Sequence, residues 1–359
     1  MARGARDLSL DSFRGLDVLV MILVNVQGNG AAAYPFIKHA EWNGVTLADL
    51  VFPVFLLILG LSAPLALDRA DRPWSWPAVL KRSGLLFAIG MALTMAIHPT
   101  LDPALIRWTG VLQRIAIAYL ACAIVIRFSK GIGLAVALSV ALLAFQSYLL
   151  LCIGSPAGGP PSLEPGMGIS GWLDQNFIPG KVLRTTWEPE GILSTLPALV
   201  NALIGVAVMR RIQAKGMGNA RLGAIGAGLV AVGLALTPWL PLNKNLWTAS
   251  FTLVTSGAGL ACWALLRGAW PNFGSKPVAR WSVSLGQAAL TLYVVHHVLL
   301  ALIVRKLPSG ERIWEVTYRA LTATGLSPAL ASMLYATIAA AISCAVLPWL
   351  KRRGWILKV

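Results

Sequence analysis

The chain has 359 residues, of which 57% are hydrophobic and 12% charged, with a formal charge of +16. A soluble domain carries about 25% charged residues, so the composition excludes one and requires a polytopic membrane protein. The positive charge does not indicate nucleic acid, because the cations form short clusters between apolar runs and no basic patch is interleaved with aromatics.

Apolar runs of roughly 17–25 residues read as spans, and ten are predicted: 15–30, 47–67, 83–98, 109–126, 132–153, 192–209, 222–240, 248–267, 283–304 and 326–350. The fold class is therefore an all-α membrane protein of about ten transmembrane helices, one hydrophobic body over 1–359. With the N-terminus inside, the inner segments hold twenty of the 30 cations and the outer ones nine, which places both termini in the cytoplasm and the chain in the cell inner membrane. Arg3 and Arg6 before an apolar stretch imitate a signal peptide. Asp17 and Asn25 inside that stretch argue for a retained first helix. Cys122, Cys152, Cys262 and Cys344 are scattered and predict neither a disulfide framework nor a zinc site.

The first span ends with Asn25 and Gln27 and a Gly28-Asn29-Gly30 break. Polar groups then crowd against the start of the second: His39, Glu41, Trp42, Asn43, Thr46 and Asp49, followed by Pro53. A charge in hydrocarbon costs about 2.5–3.5 kcal/mol even on the lenient insertion scale, so this stretch reads as a wet reaction centre at the membrane surface or as an interfacial loop with an idle histidine. His39 is the best candidate base, since imidazole titrates near neutrality. Asn25 can orient that ring or donate to a developing oxyanion. Asp49 can hold a cation, orient His39, or simply face the helix dipole.

Further along, Arg107 and Arg114 are seven residues apart and are expected on one helix face. Arg114 then requires an anion, either Asp49 or a phosphate. The outer loop 154–191, rich in proline and glycine, is expected to be irregular and to act as a substrate lid. Its Trp172, Asp174, Asn176, Phe177, Trp187, Glu188 and Glu190 suit a sugar. His296 and His297 lie within the ninth predicted span, where one is expected to pack with a hydrogen bond. With four dispersed histidines no metal site is expected.

Several ordered blocks resemble a known family. They are Ser9-Leu-Asp11-Ser-Phe13-Arg14-Gly15, Met21-Ile-Leu-Val-Asn25, and His39-Ala-x-Trp42-Asn43-Gly44-x-Thr46-x-Ala-Asp49-Leu-Val-Phe-Pro53. Gly110-Val-Leu-Gln113-Arg114, Pro189-Glu190-Gly191 and Asn243-Lys244-x-Leu-Trp247-Thr follow. The family is the transmembrane N-acetyltransferases typified by heparan-α-glucosaminide N-acetyltransferase. The resemblance implies a member without the lumenal domain that lysosomal members carry. It implies acetyl transfer from acetyl-CoA, a co-substrate, to the amine of a glucosamine unit. His39 would be the active-site histidine, as base or acetyl acceptor, and Asn25 its companion amide. Arg107, Arg114 and Lys244 are the cations available for CoA phosphates. Trp42, Asn43, Asp49, Asp174, Glu190 and Trp247 are the groups expected to meet the acceptor. Glu188 and Gln175 depart from the family pattern, where aspartate and arginine are expected. Expected partners are an amino-sugar or glycan acceptor and membrane lipid, with a homodimer left open and no nucleic acid. Two other activities fit the same residues: an amino-sugar permease and an O-acyltransferase of envelope glycans.

The cation distribution predicts that a single cysteine placed in 154–191 of a cysteine-free variant reacts with an impermeant thiol reagent in intact cells, whereas one after Lys351 does not. Labelling of the C-terminal site in sealed cells would reverse the orientation.

Overall fold

The computed structural model describes residues 7–68 and 73–357. Arg3, Arg6, Arg69, Arg72 and Lys358, all counted on the inner side above, lie outside the described residues. Thirteen α-helices are present among those described: α1 Leu8–Asn25, α2 Leu47–Leu67, α3 Trp76–Ile97, α4 Val111–Phe128, α5 Gly133–Cys152, α6 Gly168–Phe177, α7 Ile192–Lys215, α8 Asn219–Ala235, α9 Ala249–Phe273, α10 Pro277–Gln287, α11 Ala289–Ile303, α12 Ile313–Thr322 and α13 Pro328–Arg352. The all-α polytopic class holds.

Seven helices are long and apolar enough to cross a membrane, and eight if α10 and α11, bent by 78° at Ala288, count as one broken span. The predicted spans 15–30 and 222–240 fall short of that test for separate reasons. Helix α1 carries Asp11, Arg14 and Asp17, and α8 is only 17 residues long. Helix α1 also starts earlier than predicted, because Asp7 caps it by accepting from the backbone N–H groups of Ser9 and Leu10.

Glycines set the closest crossings. A Cβ on Gly60 of α2 would lie 1.8 Å from the carbonyl oxygen of Ala202 on α7, and one on Gly205 of α7 would lie 2.4 Å from that of Leu57. Helices α1 and α10 meet in the same way at Gly15 and Gly286, joined by the Ser12 and Ser282 hydroxyls at 2.6 Å. Lipid tails give apolar helices no solvent-driven reason to associate, so close backbone approach supplies the packing. Helices α2, α4, α7 and α9 form the buried centre, whereas α3 and α5 keep most of their surface outward.

The outer loop is not irregular throughout, as expected from its prolines and glycines, but holds the ten-residue helix α6. That helix is a continuous stretch without proline, and it packs on α5 and α7. Chain order brings the C-terminal ends of α1, α3, α5 and α8 and the N-terminal ends of α2, α4, α7 and α9 to one end of the bundle. Gly60→Leu should push α2 from α7 and lower stability in detergent by the upper end of about 1–3 kcal/mol, read as a fall in melting temperature. An unchanged melting temperature would mean that α2 and α7 do not touch here.

Candidate active site

The site begins at the N-terminus of α2. Thr46 is its N-cap and Asp49 its third residue, and together they form a capping box. Asp49 Oδ2 accepts from the Thr46 N–H at 3.1 Å, the Thr46 hydroxyl at 3.1 Å and the Ala40 N–H at 3.0 Å. With that oxygen held by three donors, Oδ1 lies 2.8 Å from Nδ1 of His39. A carboxylate only accepts, so Nδ1 carries the proton and Nε2 holds the lone pair. Asp49 is sealed from solvent while the His39 side chain is 46% exposed.

A third group arrives from 205 residues away. Lys244 Nζ lies 3.0 Å from His39 Nδ1, 3.4 Å from Nε2 and 3.5 Å from Asp49 Oδ1. Its approach is fixed by the loop before α9. The Gly44 N–H donates to the Leu242 carbonyl at 2.7 Å, and the Asn243 amide donates to Asn43 Oδ1 at 3.0 Å. Burial holds the Lys244 ammonium below its usual pKa, against the pull of Asp49 and Glu190.

Two cavities meet at His39. One, of about 310 Å³, is lined by Met21, Val24, Val51, Phe52, Phe55, Val111, Ile115 and Leu300, with Asn25, His39, Glu190, Lys244, Tyr293 and His297 as its polar groups. The other, of about 390 Å³, is lined by Val24, Asn25, Gln27, Gly30, Ala33, Ile37, Lys38 and His39. Asn25 and His39 line both, so the helix end and the folded-back loop do bring the amide and the imidazole to one place.

Two arginines wrap the turn before α7. Arg107 binds both oxygens of Glu188, with Nε at 3.0 Å, and also pairs with Glu190. These carboxylates raise the guanidinium's pKa despite burial. For Glu190 the same balance runs the other way: burial pushes its carboxyl up, but Arg107, Arg114 and Lys244 hold it below the usual range. Arg114 donates to the carbonyls of Pro189 at 3.2 Å and Gly191 at 3.3 Å and to the Ser194 hydroxyl at 2.6 Å, with its guanidinium 4.9 Å over Trp247.

Two expectations are corrected here. Arg107 and Arg114 do not share a helix face, because α4 starts at Val111 after Gly110 and Arg107 belongs to the preceding loop. Nor does Arg114 pair with Asp49: it faces carbonyls, and Asp49 faces His39 and Lys244. Of the three cations named for CoA phosphates, Lys244 lines the cavity of about 310 Å³ at His39, and the two arginines line neither of these two cavities.

Several groups expected to meet the acceptor are placed in the scaffold. Trp42 donates from its indole to the Leu163 carbonyl at 2.8 Å and packs edge-on against Trp187. Trp247 is buried, adopts φ +54° and donates to Asn201 at 2.8 Å. Asn43 is taken by Asn243. Asp174 is buried and accepts from the Glu188 and Ile192 N–H groups, both at 3.1 Å, which caps α7. Burial pushes its carboxyl up to about 6. Of the loop's acidic groups, Glu190 reaches the cavity. Tyr293, unremarked in the sequence, lines it as well.

Fold and site together define a polytopic all-α membrane protein with an imidazole, a carboxylate and an ammonium gathered at one end of its bundle. Residues 6–157 match the family model described as heparan-alpha-glucosaminide N-acetyltransferase, catalytic. The chain is 27% identical over 311 residues to the mouse protein of that name, covering 69% of this chain and 46% of the relative. It is 28% identical over 323 residues to the human one, covering 72% and 47%. It thus spans under half the length of these relatives. The chain resembles the heparan-α-glucosaminide N-acetyltransferase family in both comparisons, and Asn25, His39, Asp49, Arg107 and Arg114 all fall within the matched segment.

Asp174→Ala should strand two buried N–H groups at about 1–3 kcal/mol each, whereas Asp174→Asn keeps an acceptor and should lose less. Melting curves of the two variants check this, and equal losses would remove Asp174 as the cap of α7.

Proposed function

We propose that the chain transfers the acetyl group of acetyl-CoA to the amine of a glucosamine-type sugar, as a multi-pass enzyme of the inner membrane. The observation that carries this reading is the hydrogen-bonded His39–Asp49 pair, which opens beside Asn25 and Lys244 onto a cavity walled largely by apolar side chains. The names of the relatives supply N-acetyl transfer to a glucosaminide, and the geometry supplies groups able to perform it.

An ammonium is not a nucleophile, so the acceptor requires a base. The Asp49 contact leaves the lone pair of His39 on Nε2. That atom can take the acceptor's proton or attack the thioester itself, and both routes start from the same tautomer. A positioned base contributes roughly 10²–10⁴ in rate. When nitrogen attacks the carbonyl, negative charge develops on its oxygen, and donors placed in a low-dielectric site stabilise it. The Asn25 carboxamide and the Lys244 ammonium border the same cavity as His39 and fit that role.

Lys244 is therefore read as serving the thioester end of acetyl-CoA and not its phosphates. A pantetheine arm separates the two ends, and a cation in contact with the base cannot reach both. Arg107 and Arg114 act on the enzyme's own turn: they hold Glu190 at the cavity edge, leaving its carboxylate to meet the acceptor. Trp42, Asn43 and Trp247 act one step back, by fixing the loops that carry His39 and Lys244.

His39→Ala should reduce kcat by at least about 10² while acetyl-CoA still binds, measured as thiol release and as calorimetric binding to the purified protein. Near-wild-type turnover in a folded variant would remove His39 from the reaction.

A further inference from the structure

Acetylating an ammonium takes two protons from one nitrogen. The reactants are R–NH₃⁺ and an acetyl thioester, and the products are the acetamide, the free thiol and one proton. A C–N bond forms, the C–S bond breaks, one nitrogen proton ends on sulfur, and the other must leave. His39 can carry only one of them, since its Nδ1–H is committed to Asp49 and Nε2, 3.4 Å from Lys244 Nζ, is its one remaining acceptor. Within the cavity Lys244 is a cation and Glu190 is ion-paired with Arg107.

His297 has the remaining capacity. It lies on α11 and lines the same cavity as His39, Asn25, Glu190, Lys244 and Tyr293. Its Nδ1 is 2.9 Å from the Tyr293 carbonyl, one helical turn back. A carbonyl only accepts, so Nδ1 holds the proton and Nε2 the lone pair, the same tautomer as in His39. The ring is fixed by stacking on Tyr293, with centroids 4.2 Å apart and planes 26° from parallel. Its neighbour His296 differs in the decisive respect. Nε2 of His296 is buried without a partner, whereas His297 is only partly buried and lines the cavity.

We propose, on the basis of the acetyl transfer argued above, that His297 is a second catalytic base of this reaction. Its Nε2 takes the first proton from the acceptor ammonium and passes it to solvent. His39 takes the second from the nitrogen of the tetrahedral adduct and returns it to the departing sulfur. If His39 is acetylated first, His297 still frees the amine that attacks the acetyl-imidazole.

An acceptor with one proton fewer to lose tests this. The full chain in detergent is assayed for thiol release from acetyl-CoA with glucosamine, at a pH where its amine is protonated, and with methoxyamine, which is neutral at the same pH. His297→Gln should lower kcat with glucosamine by about 10², leave turnover of methoxyamine near that of the wild type, and leave the KM for acetyl-CoA unchanged. His297→Asn should do the same, and His39→Ala should lose both acceptors. Equal loss on the two acceptors, or no loss on glucosamine, overturns the proposal. A measurement on the wild type needs no variant: diethyl pyrocarbonate should modify His297 but not His296, and glucosamine should protect it. An unmodified His297 likewise overturns the proposal. Failure of the wild type to acetylate either amine would instead overturn the acetyltransferase reading, and this inference with it.

Discussion

The arrangement depends on keeping one buried carboxylate charged. Asp49 sits in the first turn of α2, fully enclosed, where an unpaired ion would carry a penalty of several kcal/mol. Its ionised form is retained by the N-terminal end of the helix, by the Thr46 and Ala40 donors on Oδ2, and by His39 and Lys244 at Oδ1. Each donor also fixes geometry. The capping box starts α2 at Leu47, the Ala40 N–H folds the preceding loop inward, and the imidazole keeps its lone pair on Nε2. One side chain therefore sets the helix start, the loop path and the tautomer of the base.

The same economy extends to the opposite wall. Helices α2, α4, α7 and α9 all present their N-terminal ends at this face of the bundle, and such ends favour negative charge. Asp49, Asp174, Glu188 and Glu190 gather there, with Arg107 and Arg114 threaded between them. Arg114 is bound to backbone carbonyls on one side and covered by Trp247 on the other, so it joins the turn that carries Glu190 to the loop that carries Lys244. Moving either loop would disturb both charges facing His39.

Much of this was legible in the sequence, and the rest was hidden for identifiable reasons. The crowding of His39 and Asp49 at the head of an apolar run pointed to a contact that the structure forms, because polar groups at membrane depth need partners and those partners lay ten residues apart. Asn25 was legible because the glycine break after it lets the chain fold back. The pairing of Lys244 with His39 was not, since hydrogen bonds across 205 residues leave no local pattern. Arg107 and Arg114 misled because their spacing fits two helical turns, while Gly110 starts the helix only after Arg107. Tyr293 and His297 were masked by α11, where an apolar helix with polar residues at i and i+4 looks like ordinary packing until the cavity beside it is visible. The family model, matched over 6–157, does not reach them.

The apolar walls give these polar groups their effect. Val24, Val51, Phe52, Phe55, Val111 and Ile115 wall the cavity of about 310 Å³, and a charge against such an apolar wall is felt more strongly than at the surface. In the proposed transfer, Lys244 in such a place stabilises a nearby oxyanion. That transfer has two protons to remove, and each of the two imidazoles offers one Nε2. The proposed division of labour between His39, held between Asp49 and Lys244, and His297, stacked on Tyr293 in the same cavity, follows from the one lone pair that each ring has left.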